Sequence, residues 1–181
     1  MDLTNIVQFR LFKKNLPSHN FDKRYCFKTI SSANFSDNIT HIETVIKYHH
    51  EDLDWNETPT KEIVHERLKF GSQCHLWMYE NTCLGWHWTN NDCVTIDWKS
   101  YYQPLEKNEI YIGGALVSRL HKPHTNSSLF FYRQGFEYSF NLNNTNTMYL
   151  YSDDWNRASA ILCYKNGFTK FNFIKENNGK S

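Results

Sequence analysis

From Glu109 to Ile174 the spacing of apolar residues switches between strand and helix periods, and this alternation constrains the fold more than any other feature of the chain. Glu109 to Val117 is a β-forming run interrupted by Gly113 and Gly114. A polar loop follows, then a helical stretch from about Ser127 to Leu142 with Leu129, Tyr132, Phe136 and Phe140 on one side and a costly Gly135 inside it. Thr147 to Tyr151 returns to strand spacing and Trp155 to Lys165 to helix spacing. Thr169 to Ile174 closes the series with Phe171 and Phe173 on one face. Strands joined through helices pair in parallel, so this half predicts a parallel pair with crossover helices.

The first half reads differently. Val7, Phe9 and Leu11 mark an opening strand, expected as an extra edge strand within residues 1–15, and Tyr25, Phe27 and Thr29 mark a second. Asp37 caps a helix carrying Ile39, Ile42, Val45 and Ile46, and Thr58 followed by Pro59 opens another carrying Ile63, Val64 and Leu68. Cys74 to Tyr79 and Cys83 to Thr89, joined by Glu80, Asn81 and Thr82, predict a hairpin. Cys93 to Trp98 adds a strand or loop before an irregular stretch through Pro104. The fold class is therefore α/β: one domain over residues 1–181 with a mixed, mostly antiparallel sheet flanked by helices and a frayed tail at 176–181.

Composition narrows the function. Twenty basic and nineteen acidic residues leave a net charge of +1, so no global field draws the chain to nucleic acid or to an anionic membrane. No apolar run reaches the length of a membrane span, and Arg10, Lys13 and Lys14 interrupt the start where a secretory leader needs unbroken apolar residues. Cys26, Cys74, Cys83, Cys93 and Cys163 show no CxxC spacing and predict reduced thiols, which places the chain in the cytoplasm. His49, His50, Glu51 and Asp52 are adjacent in sequence with no second ligand pair at a metal-binding spacing, so no metal is expected. Trp86 and Trp88 alternate with His87, a pattern expected for core packing.

The stretch Asn156, Arg157, Ala158, Ser159, Ala160, Ile161, Leu162, Cys163, Tyr164, Lys165, Asn166, Gly167, Phe168 resembles the signature Asn-x-x-Ala-x-x-x-Tyr-x-x-x-Gly-Phe of the GNAT acyltransferases, with small displacements. The resemblance implies a splayed central pair of parallel strands with the pantetheine arm of acetyl-CoA between them. Asn156 would bond that arm, Tyr164 would protonate the leaving thiolate, and the backbone of Leu116 and Val117 would line the arm. Asn156 and Tyr164, eight residues apart, are expected on one helical face. Gly113 and Gly114 would leave room for the acyl group, a simple bulge or close helix packing being equally good reasons for them. The loop before the helix at Ser127 stands where the family binds pyrophosphate, with Arg119, Lys122, Thr125, Asn126, Ser127 and Ser128 as its expected residues and few of the usual glycines.

Glu109, Asp97, His50 and Glu51 are the candidates for the base that takes the amine proton. The implied function is N-acyl transfer, acetyl from CoA to a small-molecule amine. The aromatic strands and the insertion from Asp92 to Asn108 favour an amino sugar, nucleotide-linked or free, as acceptor. Two alternatives stand beside it: acyl carrier protein or aminoacyl-tRNA as donor, and a binding module without turnover. No nucleic acid or membrane partner is expected, and a homodimer is left open.

Overall fold

The central strands are runs of residues buried on both faces of the sheet, and a computed structural model describes residues 6–18, 23–52, 59–94, 103–118 and 128–174. In chain order these form β1 (Ile6–Phe12), β2 (Tyr25–Ile30), α1 (Ile39–Asp52), α2 (Lys61–Lys69), β3 (Gln73–Tyr79), β4 (Thr82–Asn90) and β5 (Cys93–Val94). Then come β6 (Gln103–Pro104), β7 (Glu109–Val117), α3 (Ser128–Asn143), β8 (Thr147–Asp153), α4 (Arg157–Lys165) and β9 (Thr169–Ile174). Seven strands make one sheet in the order β2-β3-β4-β7-β8-β1-β9, and β5 pairs with β6 apart from it. Neighbours run antiparallel except β7 and β8, which are parallel. The mixed sheet expected from the sequence is the one found.

One expectation fails. The opening strand does not lie at an edge; β1 runs between β8 and β9, antiparallel to both. Apolar alternation tells which face of a strand is buried and says nothing about its lateral neighbours. Other boundaries move by a residue or two. Thr60 caps α2, its hydroxyl accepting from the Ile63 N–H at 3.3 Å, and Thr58 lies outside the described residues. Of the strand expected from Cys93 to Trp98, only Cys93 and Val94 are described. Among the described residues no helix is long and apolar enough to cross a membrane.

Each face of the sheet has its own core. On one, Ile42 and Val45 of α1 and Val64 and Leu68 of α2 pack on Leu76, Trp86, Trp88 and Leu116. On the other, Phe136 and Phe140 of α3 and Cys163 of α4 pack on Phe9, Leu11, Ile110, Ile112 and Leu150. Burial of such side chains contributes roughly 1.5–3 kcal/mol each.

A polar network is buried beneath α3. The Trp77 indole N–H donates to His87 Nδ1, so Nε2 carries the His87 proton and donates to Ser139 Oγ at 2.8 Å. Ser139 Oγ donates onward to the Gly135 carbonyl at 2.9 Å. A Cβ at position 135 would lie 3.2 Å from Trp77 Cζ2, a tight contact that a glycine inside the helix avoids as α3 packs close to this layer. His75 bridges Thr29 Oγ1 at 2.9 Å and Thr89 Oγ1 at 2.7 Å, and its ring lies 4.7 Å from that of His87.

Burial lowers the His75 pKa to about 3, and burial followed by the neighbouring His75 lowers that of His87 well below its usual value. Both rings are neutral in the fold and free to protonate when unfolded, so stability is full above the unfolded value of 6.5 and falls as pH drops toward 3. For His75 alone the loss by pH 5 is about 2 kcal/mol. Thermal unfolding followed from pH 7.5 to pH 5 should show a fall in stability of at least that size; a flat profile would mean that the two histidines do not stay neutral.

Candidate active site

At the centre of the sheet β7 pairs with β8 and then parts from it at its glycines. The two strands pair from Glu109 opposite Thr147 to Ile112 opposite Leu150, and no pairing with β8 is described for the rest of β7. The cause lies on the β4 side. Trp88 pairs with Gly113 and Trp86 with Leu116, so Gly114 and Ala115 together stand opposite His87. This is a β-bulge, with Gly114 at a left-handed φ of 56° that a side chain would strain. A bulge bends its strand and increases its twist, and here a gap opens between the carboxyl ends of two parallel strands.

The gap has an open polar edge. The Ser118 N–H donates to the Leu84 carbonyl at 2.8 Å, and alternation along the strand turns the Val117 N–H and C=O the other way, toward the gap. Leu116 does not share that role. Its side chain is buried with Trp86 and Trp88, and its carbonyl abuts Gly85, where an added Cβ would overlap the oxygen. Asn156 caps α4 just beyond the end of β8, its Oδ1 accepting from the Ser159 N–H at 3.0 Å. Its Nδ2 has no partner among the described residues and is a spare donor at the same end of the sheet.

Tyr164 is not where the helical spacing was read to place it. Eight residues advance a helix by about 800°, roughly 80° past two full turns. Cys163, seven residues on, therefore occupies the inward position and is buried with Phe136 and Phe140. Tyr164 is 55% exposed, with its ring edge-on to Phe9 at 5.6 Å. Glu109 is also committed elsewhere. Its Oε1 accepts from the Tyr149 hydroxyl at 2.7 Å and its Oε2 from the Glu106 N–H at 3.0 Å, at the paired end of β7 and away from the gap. Burial, then the Glu109 carboxylate, pushes the Tyr149 pKa up to about 12. His50 lies in the last turn of α1, and Ser128 is the first residue of α3. Asp97, Arg119, Lys122, Thr125, Asn126 and Ser127 lie outside the described residues.

Three residues that the sequence did not single out for the site gather at the bulge. A Cβ on Gly114 would lie 3.1 Å from Arg67 Nη1 and 3.1 Å from Trp88 Cδ1. The Arg67 guanidinium sits 4.3 Å above the Trp88 ring, and its buried Nε has no hydrogen-bond partner. Burial lowers its pKa, with the Tyr111 hydroxyl opposing. That hydroxyl lies against Gly113, where any side chain would collide with it. The Tyr111 ring stands edge-on to Tyr151 at 5.8 Å, and Tyr151 donates to Gln103 Oε1 at 3.1 Å. The available signal was a charge set against an apolar stripe, since Arg67 falls between Val64 and Leu68 on α2. A concavity of about 350 Å³ between α1 and α2, lined by Ile46, Pro59 and Lys61 among others, shares no residue with this gap. Gly114→Ala should lower stability by about 1–2 kcal/mol through its left-handed backbone; an unchanged melting temperature would show that the bulge is not held as described.

No family model matches the chain, and no curated protein does either. Solved structures do. The tandem GNAT protein of the clavulanic acid biosynthesis pathway superposes with a TM-score of 0.58 at 11% identity over 96% of this chain. The chain spans only 52% of that protein's length. An aminoglycoside acetyltransferase from an uncultured soil metagenomic sample, solved with trehalose, gives 0.53 at 8% identity over 86% of this chain and 95% of its own. An aminoglycoside N-acetyltransferase in complex with CoA gives 0.54 at 10% identity over 87% and 95%. With the parallel pair, the bulge and the gap between β7 and β8, these likenesses identify the fold: the chain has the fold of the GNAT acetyltransferases.

Proposed function

We propose that the chain is an N-acyltransferase that moves a short acyl group, acetyl, from coenzyme A to the amine of a small acceptor. The observation that carries this reading is the gap that the Gly114–Ala115 bulge opens between β7 and β8. Its residues suit a pantetheine arm. Val117 offers an N–H and a C=O along one edge, as a strand would to an added strand, and Asn156 Nδ2 offers a donor at the mouth. The N-terminus of α3 at Ser128 and the loop with Arg119, Lys122, Thr125, Asn126 and Ser127 would take the pyrophosphate. The bound thioester supplies the electrophilic carbon. The amine nitrogen forms the new bond to that carbon, the thiolate leaves, and the amine gives up one proton. Asp97, His50 and Glu51 remain the candidates to accept it. Small amine acceptors are supported by the aminoglycoside acetyltransferases of the same fold, one solved with sisomicin and one with CoA. Five unbridged cysteines agree with work in the cytoplasm.

Acetyl-CoA at 100 times its dissociation constant should stabilise the purified chain by about 2.7 kcal/mol. No thermal shift at millimolar ligand removes coenzyme A as donor. Asn156→Asp separates the two tasks of that residue, because aspartate caps a helix as well as asparagine but lacks the amide donor. CoA affinity should fall about 10-fold with folding intact; equal affinity would show that the amide does not reach the arm. Replacing Arg119 and Lys122 together by Ala should weaken CoA far more than pantetheine, and equal losses would misplace the phosphates.

The exposed Tyr164 ring leaves catalysis to positioning of the acceptor against the thioester. Turnover of Tyr164→Phe, measured by thiol release, should stay within about 3-fold of the parent. Loss of an acting general acid would instead lower it by about 100-fold or more, and such a fall would restore the phenol as the acid.

A further inference from the structure

Arg67 is a charge at the gap that pantetheine binding and acyl transfer leave without a task. Its Nε is buried with no partner, its guanidinium carbon lies 4.3 Å above the Trp88 ring, and its Nη groups are turned toward Gly114. Gly114 is itself exposed, so the charged end of Arg67 stands at the border of solvent in the gap. Among the described residues it makes no ion pair and no hydrogen bond. The neighbouring Tyr111 is held neutral, since burial raises its pKa.

A guanidinium cannot shed its proton, and its buried Nε–H without a partner is unfavourable. An apolar side chain would cover Trp88 without that penalty. The Nη groups, at the border of solvent and facing Gly114, offer a charged fork to what enters the gap. The planar fork of a guanidinium matches the two oxygens of a carboxylate, and one positive charge is balanced by one carboxylate. A phosphate dianion would leave an excess negative charge there, and a polycationic amine would be repelled.

We propose that the acceptor carries a carboxylate, which Arg67 holds beside the bulge, in addition to the amine that is acylated. The substrate class is then an amino acid, unlike the amino sugar expected from the aromatic strands. The amine half of this statement rests on the acyl-transfer reading, while the carboxylate half rests on Arg67 alone.

The test is a set of thermal-shift titrations of the purified chain with the common L-amino acids and β-alanine, each against its own carboxamide. At least one acid should stabilise the chain where its amide does not. Arg67→Met, which keeps an unbranched stem on Trp88, should weaken that acid about 10- to 100-fold. Its unliganded melting temperature should stay equal or rise, because a buried N–H without a partner has gone. Arg67→Lys, which keeps the charge but not the fork, should fall between the two and serves if the Met variant does not fold. Acids no better than amides in the parent, or full retention of the acid shift in both variants, would overturn the assignment. Titration with acetyl-CoA in the same plates separates the readings. A response to acetyl-CoA without discrimination of acids from amides keeps acyl transfer and loses the carboxylate; discrimination without a response to acetyl-CoA does the reverse.

Discussion

The site depends on one extra residue. With Gly114 and Ala115 standing together opposite His87, β7 can stay paired to β4 on one side while leaving β8 on the other. An unpaired strand edge inside a sheet would be untenable in a dry core, because buried backbone groups need partners. At the carboxyl ends of parallel strands it becomes a place for a ligand. The two glycines serve this arrangement in different ways. Gly114 adopts the left-handed φ of the bulge, and Gly113 clears space for the Tyr111 hydroxyl.

A bulge can position chemistry only if the strand facing it is held still, and β4 is held from both faces. Above it, His87 is clamped between the Trp77 indole and Ser139, and Gly135 lets α3 close on that layer. Below it, Trp86 and Trp88 are buried against α1 and α2, with Arg67 stacked on Trp88. The neutral histidines follow from the same packing. A polar ring kept dry beneath a helix must be hydrogen-bonded and cannot readily take up a proton.

Much of this was legible in the chain, and the failures have physical causes. Periodicity located the helices and strands because each period reports one buried face. It missed the place of β1 because lateral neighbours leave no mark on a single strand's alternation. It set Tyr164 on one face with Asn156, although eight residues turn a helix about 80° beyond two full turns. Arg67 went unremarked because the charge of α2 looks solvated until Trp88 and the bulge of β7 are set against it.

By itself the sequence determined the order of elements, the parallel crossover after Glu109 and the likeness to the GNAT acyltransferases, all carried by local spacing. The tertiary structure alone decided the insertion of β1 between β8 and β9, the burial of Cys163 and the exposure of Tyr164, and the convergence of Arg67, Tyr111 and Trp88 on Gly113 and Gly114. These are contacts between residues distant in the chain, and no local spacing records which distant side chains share a site.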